Sequence, residues 1–232
     1  MSKLSYISDL VLYKIVSDFI KQYNKIQSEA ENKLEENALD PFSAILYSMC
    51  SGSNLSQWFE MELERQIGKS FQNNIGEFHQ SILGSCCDWE IIDDVIDIRN
   101  QKKRIIAEIK NKYNTTKGSD KKVIYDNLVA TLESDFYKNK NYTAYYVEII
   151  PKNNGKYNNP FTPTDSTTKT RKPKREDVRI IDGVSFYALA TGEETALHQL
   201  YKALPLVVQE IKGSGAEIIE DPLFDELFIK TF

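Results

Sequence analysis

A switch in hydrophobic periodicity near residue 85 constrains this chain more than any other feature. Before it, apolar residues recur at helical spacing; after it, they bunch into short runs rich in Ile and Val. Residues three or four apart share a helix face, whereas strand side chains alternate. The chain therefore reads as a mainly helical N-terminal part (1–85) followed by an α/β core (86–212). Together these suit one domain of 232 residues with a central mixed sheet flanked by helices.

Within the first part, Leu4, Ile7, Val11, Ile15 and Phe19 form a stripe. Asp40-Pro41 predicts an N-cap and a first-turn proline, opening a short helix through Met49. Ser51–Asn54 is a break, and a helical stretch from Leu55 to Leu83 follows, with Gly68 or Gly76 as points of interruption. Beyond the switch, Trp89–Ile98 and Arg104–Ile109 predict a β-hairpin around the polar turn 99–103. Ser119–Leu132 returns to helical spacing, and Tyr142–Ile150 predicts a strand. Lys152–Glu176, with its prolines, Asn, Thr and basic residues, predicts a long loop that contacts a ligand or stays disordered. Val178–Ile181 and Val184–Leu189 predict two short strands around an Asp182-Gly183 turn. Thr191–Glu194 reads as a capping box opening a helix that Pro205 should kink or end. A short helix near Leu223–Ile229 follows.

The net charge of −5 hides an uneven distribution. Arg99–Arg175 carries 18 Lys/Arg against 7 Asp/Glu, while the rest of the chain is acidic. A basic middle in an acidic chain suits a face that meets a polyanion, or else a solvated surface run. Three cysteines, two of them adjacent at Cys86 and Cys87, make a poor disulfide framework and suit reduced thiols in a bacterial-type cytoplasm. His79 and His198 are far apart in sequence and give little support to histidine chemistry. No segment approaches the roughly 20 apolar residues of a membrane-spanning helix.

The stretch that carries chemistry is Asp93-Asp94-Val95-Ile96-Asp97-Ile98 followed by Ile105-Ile106-Ala107-Glu108-Ile109-Lys110. Alternation puts Glu108 and Lys110 on one face of their strand. A hairpin partner brings an upstream aspartate beside them. Two carboxylates and the carbonyl of Ile109 then form a hard-oxygen set suited to Mg²⁺. Phosphodiester hydrolysis asks for such a set, with Lys110 positioning the attacking water and neutralising developing charge. The bland reading is a structural ion pair on a hairpin.

These residues resemble the PD-(D/E)XK nuclease superfamily. Ala107-Glu108-Ile109-Lys110 matches the (D/E)XK half and Asp94 matches the acid of the PD half, with Asp93 where proline would stand. Asp97, 11 positions before the glutamate, is the other candidate acid. The run GEFHQSILGS is similar to the family's helix that offers a further acid, here Glu77. The run from EIKNKYNTTKGSDKK to YYVEIIPK resembles type II restriction endonucleases, in particular the group that cuts GGNCC. The resemblance implies Mg²⁺-dependent cleavage of double-stranded DNA, with Asp94, Glu108, Lys110 and Glu77 as catalytic residues. It also implies the restriction-endonuclease-like fold.

Two basic segments are expected to touch DNA: Lys112, Asn114, Thr115, Thr116 and Lys117 after the catalytic strand, and Lys169, Arg171, Lys172, Lys174 and Arg175 in the long loop. Arg and Lys read guanine edges, but contacts to phosphate give affinity alone. The second cluster reads equally as a flexible tether. A palindromic target implies a homodimer, with the N-terminal helices as its interface or else as part of the core. The alternatives are a structure-selective repair nuclease of the same superfamily, and a DNA-binding protein whose ion pair is inert.

Overall fold

The computed structural model describes residues 2–92, 95–165, 167–213 and 222–232. The chain divides into two compact units, Ser17–Ile75 and Met1–Val16 with Gly76–Phe232.

Helices α1 (Asp9–Glu36), α2 (Pro41–Ser51) and α3 (Leu55–Gly84) account for the first region. In the Ser17–Ile75 unit, Phe71 meets the rings of Phe19 and Tyr23 edge-on, each at 5.6 Å, and Ala30, Leu34, Ala44 and Trp58 are buried. Asp40 caps α2 by accepting the N–H of Phe42, with Pro41 in the first turn, and Gly52 ends the helix in the left-handed region at φ 71°. α3 runs unbroken through Gly68 and Gly76, so neither glycine interrupts it. The expected N-terminal stripe is also displaced. α1 begins only at Asp9, whose carboxylate accepts the Lys3 amide and the Ser2 hydroxyl, and its most buried positions are Leu12 and Val16.

The other unit is built on a six-stranded mixed sheet of order β1-β2-β3-β4-β6-β5. β1 (Trp89–Ile91), β2 (Ile98–Asn100) and β3 (Ile105–Lys112) form an antiparallel meander. β4 (Thr143–Ile150) joins β3 in parallel after the crossover helix α4 (Gly118–Glu133), and β6 (Val178–Asp182) joins β4 in parallel. β5 (Asn158–Pro160) pairs antiparallel on the outer edge of β6. Proline at the end of so short a strand suits an edge. Part of the expected long loop is thus an edge strand, and a bridge between Thr164 and Arg171 orders more of it.

α4 covers one sheet face. Tyr125, Leu128 and Leu132 pack there against Ile106, Ala144, Tyr146, Phe161 and Val178 in one buried cluster. On the opposite face Trp89 and Tyr145 meet Phe186 of α5 (Gly183–Thr191). α5 corrects a sequence expectation, because Val184–Leu189 is helical rather than a second hairpin strand. Asp182 accepts the Ser185 N–H at 2.9 Å and so caps a helix. A Cβ at residue 183 would lie 2.3 Å from the Ile149 carbonyl oxygen, so glycine lets the chain turn off the sheet against β4. Thr191–Glu194 then closes α5 rather than opening α6, since Gly192 at φ 80° donates its N–H to Ala188. α6 (Ala196–Lys212) continues past Pro205 rather than ending there. One lost amide bond is outweighed there by Leu197, Leu200, Ala203 and Val207, buried along one face. α7 (Pro222–Thr231) follows. Among the described residues no helix is long and apolar enough to cross a membrane, and all three cysteines are free thiols.

Candidate active site

The site forms where β3 meets the segment leading into β2. The Asp97 amide donates to the Ala107 carbonyl at 3.0 Å, and its own carbonyl accepts from Ile92 at 2.9 Å. This tacks the segment along β3 and brings the Asp97 side chain to the strand. Its Oδ2 accepts the Ile109 N–H at 2.6 Å. The Asp97 carboxyl adjoins that of Glu108, and the Gln80 side chain from the last turns of α3 reaches it as well. Lys110 Nζ lies 2.6 Å from Glu108 Oε1, both half-buried. Strand alternation thus delivers Glu108 and Lys110 to one face.

The electrostatics follow from an imbalance of two carboxylates against one ammonium. Burial pushes the Glu108 carboxyl up, the neighbouring charge of Asp97 adds to that, and Lys110 works against it. Asp97 is also raised, again chiefly by burial, although the Ile109 N–H, Lys110 and Gln80 oppose the rise. The pair holds more negative charge than its surroundings neutralise.

Sequence reasoning placed Asp94 first and Asp97 second. Asp94 lies outside the described residues, and Asp97 is the aspartate whose carboxylate meets Glu108. Glu77 is exposed on α3 and stands one turn before Gln80, the α3 side chain that reaches Asp97. Gln80 sits inside the run singled out in the sequence but went unnoticed, because an amide carries no charge signal. Glu148 was missed as well. It is in register with Lys110 on β4 and almost fully buried, with Lys121 Nζ and the Tyr157 hydroxyl at 2.6 and 2.7 Å from its two oxygens. A lone acid inside the apolar strand YYVEII was the signal available.

The two basic segments differ. Asn114, Thr115 and Lys117 are exposed between β3 and α4, and Lys112 and Thr116 are half-buried. In the second segment, Lys172 pairs with Asp126 at 2.7 Å and Arg175 with Glu133 and Asp177 at 2.7 and 2.9 Å. Tyr125 also donates to the Pro173 carbonyl at 2.8 Å. These contacts fasten the segment to α4, so a free tether is ruled out. Lys174 pairs with Glu176. Lys169 and Arg171 are exposed and make no ion pair among the described residues.

A mixed sheet flanked by helices, with an antiparallel meander on one side and an acid-x-lysine strand at its centre, defines a nuclease of the restriction-endonuclease-like fold. Comparison with known proteins narrows that class. The family model for the Eco47II restriction endonuclease matches residues 4–212, and the chain belongs to that family of type II restriction enzymes. It is 41% identical to the type II restriction enzyme Eco47II of Escherichia coli, an alignment spanning 100% of this chain and 98% of that protein. It is 28% identical to the type II restriction enzyme Sau96I of Staphylococcus aureus, over 89% of this chain and 80% of that one. Cleavage of DNA as a site-specific deoxyribonuclease is therefore its activity.

Proposed function

We propose that the chain cuts both strands of DNA at GGNCC, the target of the group its sequence resembles, as a Mg²⁺-dependent homodimer in the cytoplasm. The observation that carries the catalytic part is the half-buried Asp97–Glu108 pair with Lys110 2.6 Å from Glu108. The donor set fits the ion. It offers two carboxylates and the Ile109 carbonyl, all hard oxygen, without a histidine or thiolate. A hard-oxygen set of this kind suits a cation that keeps several waters and takes phosphate oxygens. When bound, Mg²⁺ supplies the charge that acidifies a water and stabilises the phosphorane-like transition state.

The chain's own residues then have distinct tasks. Gln80 and the Ile109 N–H fix the Asp97 carboxylate in orientation. Lys110 holds the attacking water near the phosphorus and offsets the charge that builds there. Water adds to phosphorus as the bond to the 3′ oxygen breaks, leaving a 5′-phosphate and a 3′-hydroxyl. Lys112, Asn114, Thr115, Thr116 and Lys117 grip the backbone beside the cut, and Lys169 and Arg171 are the cations available to base edges.

The test is digestion of a duplex carrying one GGNCC site and of a copy with one altered base pair, in Mg²⁺ and in EDTA. Cleavage of the first duplex alone, and only with Mg²⁺, is the expected result. Cutting at another sequence would discard the target, and undiminished cutting in EDTA would discard the metal.

A further inference from the structure

α2 presents an apolar stripe to solvent. Phe42, Ile45, Leu46 and Met49 follow the i, i+3, i+4, i+7 pattern of one helix face, and they are 74%, 57%, 59% and 75% exposed. An amphipathic helix normally turns this face inward. Here Ala44 is the buried residue of the helix, and α2 contains no charged side chain along its length. Leu55 and Phe59, one turn apart at the start of α3, add exposed apolar surface.

We propose that this face of α2, with Leu55 and Phe59, is the surface on which two copies of the chain pair. The inference rests on the homodimer reading above and names its interface. The area argues for it: with side chains of roughly 200 Å² each, the exposed fractions amount to about 700 Å² of apolar surface. A standard interface takes about 800 Å² from each partner, whereas the largest apolar patch on a monomer is usually about 300–600 Å². The absence of charge on α2 excludes a polyanion as its partner, because phosphate contacts need Lys or Arg. An uncharged helix with a single apolar stripe is also self-complementary, as a two-fold interface requires. The activity supplies the need, since one Asp97–Glu108 site per chain faces two strands to cut.

The experiment is sedimentation velocity of the full chain, alone and on an uncleaved duplex in EDTA, for the wild type, Ile45→Glu and Met49→Lys. Circular dichroism confirms that each variant is folded. Met49 is three-quarters exposed, so a lysine there meets water in the monomer and keeps the test alive if Ile45→Glu fails to fold. A dimeric wild type and folded variants whose dimer dissociation constant rises at least 100-fold are expected. A dimeric wild type with dimeric variants overturns the surface and leaves the dimer reading standing. A wild type that is monomeric both free and on DNA overturns both.

Discussion

Two glutamates, the buried Glu148 and the half-buried Glu108, stand on adjacent strands of one sheet, and each has a lysine 2.6 Å away. Glu108 and Glu148 also share a face, since Lys110 on β3 is in register with Glu148 on β4. Their surroundings differ. Glu148 has one ammonium and one phenol hydroxyl, from Lys121 and Tyr157, and its charge is matched. Glu108 shares its single ammonium with a second carboxylate, Asp97. An acid beside a lysine is therefore not itself a sign of catalysis. On the function proposed above, the surplus carboxylate is what marks the site, because it leaves negative charge for a cation to take up.

If that contrast is right, neutralising the two glutamates should have different consequences. Glu108→Gln should reduce cleavage by at least ~1,000-fold, or about 4 kcal/mol of transition-state stabilisation, while the variant still binds its duplex. Single-turnover cleavage with parallel filter binding reads both quantities. Residual activity within tenfold of wild type would end the assignment of Glu108 as a catalytic acid. Glu148→Gln should instead leave the half-buried Lys121 without its carboxylate and cost about 2 kcal/mol of stability. Urea unfolding should show that loss, with cleavage per folded molecule changed much less. A Glu148→Gln protein that keeps its stability and loses cleavage would reverse the roles of the two glutamates.

Sequence reading went furthest where local chemistry was strong. The acid-x-lysine strand, the Asp40-Pro41 cap and the helix-to-strand switch were all legible, because each depends on residues close in sequence. It failed where tertiary contact decided. Val184–Leu189 has strand-like composition, yet the Asp182 cap and the close approach of Gly183 to Ile149 turn it into a helix. Pro205 is a helix breaker by propensity, but the buried face of α6 carries the helix past it. Asp94, the first candidate from spacing, lies outside the described residues, and the second candidate, Asp97, is held beside Glu108 by a main-chain bond to Ala107 that no spacing encodes. Glu148 and Gln80 stayed hidden because their partners are 27 and 17 positions away in sequence.

Gln80 sharpens the comparison further, since the Glu148 site has no equivalent support from α3 among the described contacts. Its amide orients Asp97 without touching substrate, so Gln80→Ala should lower cleavage by roughly 10–100-fold, the usual cost of losing a group that orients a metal ligand. The Mg²⁺ concentration at half-maximal rate should rise with it, which a purely structural role would not produce. Gln80→Glu, which keeps an acceptor but adds a third carboxylate, should fail to restore the rate.

The smallest effect has the opposite sign to the others. In the metal-free chain, burial and Asp97 hold the Glu108 carboxyl above its usual value, so the folded state binds that proton more tightly than the unfolded state does. This contribution is complete below the unfolded value, about pH 4.3, and is lost as the pH rises through the folded one. At neutral pH the ionised pair is therefore a liability. Glu108→Gln should make the metal-free protein more stable than wild type by about 1 kcal/mol at pH 7.5, the low end of what removing an uncompensated buried charge returns. The advantage should shrink towards pH 4.3, and added Mg²⁺ should stabilise the wild type while leaving Glu108→Gln almost unmoved. Melting curves across pH, with EDTA and with Mg²⁺, measure all three trends. Equal destabilisation by Glu108→Gln and Glu148→Gln in EDTA would mean that both glutamates are structural ion pairs and that the surplus charge at Asp97 does not distinguish them.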